Sequence, residues 1–372
     1  MNILADRRLS DEAARAADLV PWMQQLATRG DAEATFPTAE LAAVRQAGIL
    51  AIPLPNEAPD RVRAHADLLA QTLMQLGRGN LSVGRLVEAH INARHLIARF
   101  GTPAQRAQAT ADVQAGELFA LWVTDPPDNG LRMTRRDDRL LLEGGKVFCS
   151  GAGFATRVLL TARDESGNSL MLVVTLNAGE RVSPLEAPLQ GMRAAVTGAV
   201  DFSGISVATG CVLGTPGDYL REPDFSAGAW RSSAVASGGL RSLVDLAAET
   251  LRAQGRVHDP HQKARLGRAM IAWETSRLWV RQVARLVEDP HADPAMAVAY
   301  TGLARTAVES ACLDAMRLVQ RSLGLGAFRH GTPVERICRD LATYLRQPAP
   351  DEVLTEAAAH FAIHRLPYVA GG

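Results

Sequence analysis

The segment RLLLEGGKVFCSGAG, residues 139–153, sets the middle of the chain apart from both of its ends. Leucine, valine and phenylalanine occur here in short runs, divided by a Gly-Gly pair and followed by a Ser-Gly pair. Short apolar runs between glycine turns are typical of β-strands. The pattern continues in RVLLTARDESGNSLMLVVTL, residues 157–176, so we predict a small β-barrel or β-sandwich over residues 119–215.

Helical patterns stand on both sides of this segment. Before it, PTAELAAVRQAGIL (37–50) and LVEAHINARHLIARFG (86–101) repeat apolar residues at helical spacing and reach a glycine near their ends. After it, four long amphipathic stretches rich in Ala and Leu are typical of an antiparallel bundle. We predict an α+β fold with an N-terminal α-helical domain (1–118), a middle β-barrel-like domain (119–215) and a C-terminal four-helix bundle (216–372).

The composition argues against several classes of function. The 372 residues carry 40 basic and 40 acidic side chains, so neither a nucleic acid nor an anionic membrane has electrostatic support as a partner. No uninterrupted apolar run approaches the roughly 20 residues that a membrane helix needs. The N-terminus is polar and unlike a signal peptide, and the four cysteines are scattered without a CxxC spacing. We therefore expect a cytoplasmic protein without a disulfide framework or a metal site.

Four motifs, in order along the chain, resemble those of the acyl-CoA dehydrogenase superfamily. They are LWVTDPP (121–127), GGKVFCSGAGFA (144–155), MRAAVTGAVDFSGISV (192–207) and QRSLGLGAFRHGTPVERICRD (320–340). The resemblance covers nearly the whole chain. It implies an FAD cofactor between the β domain and the bundle, a small-molecule substrate such as an acyl-CoA, an electron acceptor, and assembly as a homodimer or homotetramer.

The resemblance also implies which residues hold the cofactor. Leu121, Val123 and Thr124 would lie against the pyrimidine side of the flavin ring, Phe148 would flank the ring, and the Ser150 hydroxyl would donate to N5. Reduction places charge at the N1–C2=O end of the ring and a hydride at N5, and fixed donors there stabilise the reduced form. For the diphosphate and adenine side, with Arg256 reaching across a subunit boundary, the resemblance implies four residues: Arg256, Gln262, Gln320 and Gly324.

The usual catalytic base is absent from its position. In most members a glutamate placed eight residues after the aspartate of the RD pair removes the proton α to a thioester carbonyl. Counting from Asp340 leads to Pro348, and proline cannot act as a base. We predict that Asp351 or Glu352 supplies the base from a remodelled turn. The chain would then be an FAD-dependent oxidoreductase that oxidises an acyl thioester or related substrate, with hydride transfer to flavin N5.

Two other functions stay open. The first is that of a two-component flavin monooxygenase, which takes reduced flavin from a flavin reductase and needs no α-proton base. His90 occupies the position at which that branch of the superfamily directs a histidine at the flavin, and Gln347 stands where a second histidine is common. The other is that of a non-catalytic relative that only binds a ligand. Tightly held yellow FAD would favour the dehydrogenase over the monooxygenase.

Overall fold

The computed structural model describes residues 3–54, 62–346 and 348–367, with side chains described from residue 12 onward. Gln347, whose position was compared above with that of a histidine, lies outside the described residues. The first part of the chain is helical, and two of its helices begin at capping side chains. The Asn80 side chain accepts from Ser82 N, and Thr102 forms a capping box with Gln105. These helices are α1 (Ile3–Glu33), α2 (Thr38–Gln46), α3 (Val62–Gly79), α4 (Leu81–Phe100) and α5 (Pro103–Gln114).

The middle part forms two β-sheets. The larger has the order β10-β6-β5-β2-β3-β9, with β1 added in parallel beside β5, and the smaller has the order β4-β8-β7. Apolar residues from both sheets, among them Trp122, Leu160 and Phe202, form one core cluster. The strands are β1 (Phe119–Trp122), β2 (Arg132–Arg136), β3 (Arg139–Glu143), β4 (Gly145–Cys149), β5 (Arg157–Arg163), β6 (Ser169–Thr175), β7 (Val182–Pro184), β8 (Gly198–Asp201), β9 (Ile205–Ala208) and β10 (Val212–Leu213).

The last part returns to helix. Asp259 and Asp293 cap the two longest of its helices, and a proline at the first helical position follows each cap. The last helix but one ends at Tyr344, and the last helix begins at Pro350, where a proline suits the first helical position. The helices are α6 (Asp224–Ala227), α7 (Trp230–Ala253), α8 (Pro260–Val287), α9 (Pro294–Leu323), α10 (Pro333–Tyr344) and α11 (Pro350–Ile363).

The N-terminal and C-terminal helices share one hydrophobic core. Buried residues of α1, α3 and α4 belong to the same cluster as those of α7, α8, α9 and α10. Helices α3 and α7 touch at glycine: a Cβ on Gly77 would stand 2.1 Å from Val235 O, and one on Gly238 would stand 2.0 Å from Met74 O. Side chains there would force the helices apart. The predicted α+β order of helices, sheets and helices is confirmed.

Candidate functional site

A cavity of about 1000 Å³ lies where the β-sheets meet both sets of helices. Its wall is built from α4, the end of β1, α6, and the N-terminal parts of α7 and α9, and it is completed by α11. Two of the predicted cofactor residues, Leu121 and Val123, line it. Pro348 and Ala349, which precede α11, form one side of the cavity together with that helix.

The other residues predicted to hold the flavin ring, Thr124, Phe148 and Ser150, lie near this corner but are not among the residues that line the cavity. Val147 N donates to Thr124 O at 3.0 Å, and Trp122 Nε1 donates to Ser150 O at 2.9 Å. These bonds tie the end of β1 to β4, so Thr124 and Ser150 lie beside the strand that carries Leu121 and Val123. Phe148 adopts φ 55° and is 54% exposed. An aromatic ring that is this exposed is available to contact another molecule.

A buried lysine, Lys146, connects the residues beneath this corner of the cavity by hydrogen bonds. Lys146 Nζ donates to Asp125 Oδ1 at 2.6 Å, to Thr161 Oγ1 at 3.1 Å and to Val123 O at 3.3 Å. Burial lowers the pKa of Lys146, and the hydrogen bond from its ammonium to Asp125 opposes that shift. The sequence analysis missed this residue, although a lysine inside the apolar strand GGKVFC is the signal that could have revealed it.

The residues predicted for the diphosphate and adenine side lie elsewhere. With its amide oriented to suit its neighbours, Gln262 accepts from Arg256 Nη2 at 2.6 Å and donates to Ser322 Oγ at 3.1 Å. Gln320 bonds to the Cys338 side chain, and Gly324 has φ 60°. This group joins the ends of α7, α8 and α9, and none of its members is among the residues that line the large cavity.

His90 has a structural position. It is fully buried, accepts from Phe119 N through Nδ1 at 3.0 Å, and donates through Nε2 to Leu50 O at 2.9 Å. Burial, followed by the charge of Arg94, lowers the pKa of His90 to about 3. The neutral ring therefore ties α4 to the start of β1, and it is not among the residues that line the cavity.

A cation, Arg305, lies beside Pro348, the position at which the motif count places the usual carboxylate. Pro348 lines the cavity, and its carbonyl accepts from Arg305 Nη2 at 2.6 Å. Burial lowers the pKa of Arg305, against the effect of the Glu309 charge. Asp351 and Glu352 are exposed in the first turn of α11 and are not among the residues that line the cavity.

The cavity also contains ionisable side chains that the sequence analysis did not select as site residues. Glu88, which is buried, accepts from Arg85 Nη1 at 2.6 Å. Arg231 lies 2.6 Å from Glu288, and it also donates to Asn92 at 3.1 Å. Each carboxylate offsets a neighbouring guanidinium, which is how buried charges persist. Two further residues of α11 line the cavity, Glu356 and His360.

A cluster of three ionisable side chains, His95, Arg99 and Asp224, lies at the side of the cavity near α6. His95 Nε2 lies 3.2 Å from Asp224 Oδ1, and Arg99 Nε donates to the other oxygen at 3.2 Å. Burial alone would raise the pKa of Asp224, but the His95 hydrogen bond and the Arg99 charge outweigh it and lower that pKa. Burial also raises the pKa of Tyr219, in the same wall, to about 12. Arg85, Glu88 and His95 all belong to one face of α4, which is the pattern that could have revealed them.

Comparisons with known proteins agree with this architecture. The family model of the acyl-CoA dehydrogenase N-terminal domain matches residues 7–117. The 3-sulfinopropanoyl-CoA desulfinase of Cupriavidus necator is 22% identical, over 93% of this chain and 92% of that protein. The short-chain specific acyl-CoA dehydrogenase of Bos taurus is 27% identical, over 52% of this chain and 49% of that protein. The chain thus spans about half the length of this mitochondrial relative in the alignment.

Solved structures show the same fold. FMN-bound TdsC from Paenibacillus sp. A11-2 has a TM-score of 0.83 at 19% identity, over 96% of this chain and 98% of that chain. Butyryl-CoA dehydrogenase from Megasphaera elsdenii has a TM-score of 0.82 at 17% identity, over 97% and 99%. The methanesulfinate monooxygenase MsuC from Pseudomonas fluorescens has a TM-score of 0.83 at 19% identity, over 96% and 98%.

The comparisons bear on the class of protein that the motifs predict. The order of helices, sheets and helices matches that of butyryl-CoA dehydrogenase over almost the entire length of both chains, so the chain has the acyl-CoA dehydrogenase fold. The resemblance to the acyl-CoA dehydrogenase superfamily is thereby confirmed, and residues 7–117 match the N-terminal domain of that family.

Two further findings concern partners. Within the part of the chain that the structure describes, no helix has the length and apolar character needed to cross a membrane. Over the same residues, His, Cys, Asp and Glu side chains nowhere gather in a group that could hold a metal ion.

Proposed function

We propose that the chain is a flavin-dependent oxidoreductase that acts on a small substrate in the large cavity. The observation that carries this proposal is the position of the cavity, at the end of β1 and beneath α11, in a chain with the acyl-CoA dehydrogenase fold. Superfamily relatives have the names of enzymes, and TdsC was solved with FMN bound. Both facts support a flavin cofactor.

The residues of the β1–β4 corner fit a flavin. Leu121 and Val123 present apolar side chains to the cavity, which suits the face of a planar heterocycle. Thr124 and Ser150 carry hydroxyl groups that can donate to the polar edge of the ring, and the exposed Phe148 can cover it. A flavin bound here would supply electron or hydride transfer, while these residues hold and orient its ring.

We propose FAD as the form of the flavin and a homodimer or homotetramer as the form of the protein. Arg256 is exposed between α7 and α8, outside the wall of the large cavity, and the buried Gln262 accepts from its guanidinium at 2.6 Å. A guanidinium fork suits a diphosphate. Held by Gln262, Arg256 would contact the ADP part of a cofactor bound to a second copy of the chain.

The first candidate reaction is oxidation of an acyl thioester or a related substrate, with an electron acceptor that reoxidises the cofactor. Its base must be a carboxylate that reaches the substrate. Among the described acidic residues of the cavity wall, Glu88, Glu222 and Asp224 accept hydrogen bonds, from Arg85, Ser226 N and His95 respectively. Glu356 lies on α11, one turn beyond Glu352, and lines the cavity. Glu356 would take the α-proton and hold it at its carboxylate.

The second candidate reaction is oxygenation of a substrate with reduced flavin delivered by a reductase. The observation that favours it is the hydrogen bond from Arg305 to the Pro348 carbonyl, because a guanidinium in that corner cannot remove a proton. Likeness in fold to TdsC and MsuC over 96% of the chain adds support. Oxygenation requires no α-proton base, and the cavity wall would then bind the substrate and exclude water.

The cofactor is tested by titrating the apoprotein with FAD and with FMN while the absorbance of the flavin is followed. A Val123→Trp change fills the corner where the ring would lie, and we expect flavin affinity to fall at least tenfold, equivalent to about 1.4 kcal/mol. Leu313→Trp, at a 41% exposed position of α9, is the control that introduces the same side chain away from the cavity. If Val123→Trp leaves the affinity for flavin unchanged, the proposal is wrong.

The reaction is tested in two parallel assays. Anaerobic bleaching of the flavin by a panel of acyl-CoA thioesters, lost in Glu356→Gln, would support the oxidation. Oxygen uptake and substrate oxygenation that depend on a reductase and persist in Glu356→Gln would support the monooxygenase. Inactivity in both assays, with flavin still bound, would point to the non-catalytic relative.

A further inference from the structure

A second cavity, of about 410 Å³, lies between α3, α7 and α8, and the two cavities share no lining residue. It is lined by guanidinium groups from all three helices, with one acidic residue, Asp67, in its wall. Its volume falls in the lower part of the roughly 300–1,000 Å³ that small-molecule sites occupy. The guanidinium groups belong to Arg78, Arg241, Arg277 and Arg281.

The described ion pairs around this second cavity leave an excess of positive charge. Asp245 Oδ2 accepts from Arg78 at 3.0 Å and from Arg241 at 2.9 Å, so two cations share one carboxylate. Asp67 is shared in the same way between Arg285 at 2.5 Å and Arg281 at 3.5 Å. The third carboxylate, Glu274, pairs with a single arginine, Arg277. Five guanidinium groups therefore face three carboxylates, which leaves two positive charges.

Two more features indicate a polar ligand. Arg78 Nε is buried and has no hydrogen-bond acceptor among the described residues, so one donor at the wall is unused. The Arg241 guanidinium lies over the Trp273 ring, 4.2 Å from its centroid. Stacking on an indole holds a guanidinium in one plane, which leaves its N–H groups directed for a planar or tetrahedral oxyanion.

We propose that this second cavity binds a small organic dianion, either a phosphate monoester or a dicarboxylate. The two uncompensated charges set the charge of the ligand, and the remaining N–H donors of Arg241 and Arg281, each of which pairs through one nitrogen, select oxyanions over halides. The site is separate from the flavin cavity and does not depend on the function proposed above.

The binding experiment uses the full-length chain at low ionic strength. Calorimetric titration with glycerol 3-phosphate, malonate and chloride is expected to show saturable binding of at least one of the two dianions and none of chloride. Tighter binding of glycerol 3-phosphate identifies a phosphate ester, and tighter binding of malonate identifies a dicarboxylate. Affinity should fall as salt is added, because the pairs are partly exposed. Absence of saturable binding by both dianions overturns the proposal.

Variants locate the bound anion. Arg277→Gln combined with Arg281→Gln removes two lining cations at partly exposed positions and should weaken binding about tenfold or more. Arg317→Gln, an exposed arginine of α9 paired with Asp314, is the matched change of charge and should leave affinity unchanged. In Trp273→Phe, ligand-dependent quenching of tryptophan emission should disappear while calorimetric binding remains. Equal loss of affinity in Arg317→Gln, or a double variant that binds normally, would refute the assignment. A double variant whose sedimentation coefficient changes while its anion binding stays the same would also refute the assignment. That result would make this surface an interface between copies of the chain.

Discussion

The two sides of the large cavity differ in how far they keep the superfamily pattern. On the β side, Leu121, Val123 and Ser150 stand at motif positions and lie together at the end of β1. On the α11 side, Pro348 replaces the usual glutamate, and Arg305 donates to its carbonyl. The difference shows that the part of a fold that would hold a cofactor can be kept while the part that faces the substrate is rebuilt.

The packing of the two sides explains why they can change independently. The β side rests on the buried ammonium of Lys146, which bonds to three groups at once, so a change there disturbs several strands. Helix α11 docks on α9 at Gly302, where an added Cβ would lie 3.1 Å from Ala357 Cβ and from Val353 O. Because most residues of α11 are exposed, its sequence is free to vary around that one contact.

The largest effect is expected on the β side, from Lys146→Met. Loss of the ammonium leaves Asp125 and Thr161 without the Lys146 donor, and because Asp125 is 35% exposed the loss should lower the free energy of unfolding by about 2 kcal/mol. Flavin affinity should fall as well, since Val123 loses its support. Urea denaturation and flavin titration measure the two effects. Lys263→Met, at an exposed position of α8, is the control and should change neither. If Lys146→Met is as stable as the wild type, the β side of the large cavity does not depend on Lys146, and the proposed difference between the β side and the α11 side is wrong.

The next effect is a change of stability with pH, and it arises at His90, which links α4 to the start of β1 by a hydrogen bond. His90 has a pKa of about 3 in the folded protein and roughly 6.5 when unfolded, so only the unfolded state gains a proton between these values. Stability should therefore fall as the pH drops below about 6.5, by at most ~1.4 kcal/mol per pH unit. Urea denaturation from pH 7 to pH 5 measures the slope.

Two comparisons assign that slope to His90. His258→Gln, which removes an exposed imidazole, should leave the His90 contribution in place, whereas His90→Gln should remove it. Where His90→Gln does not fold, NMR of the wild-type ring decides: its signals should stay those of the neutral imidazole down to pH 5. If the ring titrates near pH 6.5, His90 is not held as a neutral imidazole and does not contribute to the rigidity of the β side of the large cavity.

A smaller effect is expected from Ser150→Ala. The hydroxyl lies 3.4 Å from Thr197 Oγ1 and, in the proposed complex, donates to the flavin, so its loss should weaken flavin binding or slow reduction about fivefold. Flavin titration and stopped-flow reduction measure these. Ser166→Ala, in the exposed turn between β5 and β6, is the matched control. Identical constants for wild type and Ser150→Ala would place the ring elsewhere in the cavity.

The smallest effect is expected from Asp351→Asn and Glu352→Gln. Both side chains are exposed in the first turn of α11, where a carboxylate contributes a few tenths of a kcal/mol through the helix dipole. Substrate-dependent bleaching of the flavin should stay within about twofold of wild type, since neither residue lines the cavity. Loss of bleaching in one of these amide variants would show that the turn moves inward and supplies the base.

The motif residues show how far local sequence reaches into the site. Leu121, Val123 and Thr124 are consecutive or nearly so, and the hydrogen bond from Val147 N to Thr124 O joins two segments that the motifs already describe. The absence of a carboxylate at position 348 is likewise a property of the sequence alone. His90 is a contrasting case, because an apolar helix pattern cannot say whether a histidine faces a cavity or a backbone carbonyl.

By itself, the sequence determined the order of helices and strands, the resemblance to the superfamily and the missing base, because periodicity and motif spacing are recorded along the chain. Only the tertiary structure decided which charged groups meet. Arg305 and Pro348 stand 43 residues apart, and Lys146 and Asp125 stand 21 apart. Whether such a pair forms depends on how separate elements pack, since a buried charge persists only where the fold brings it a partner.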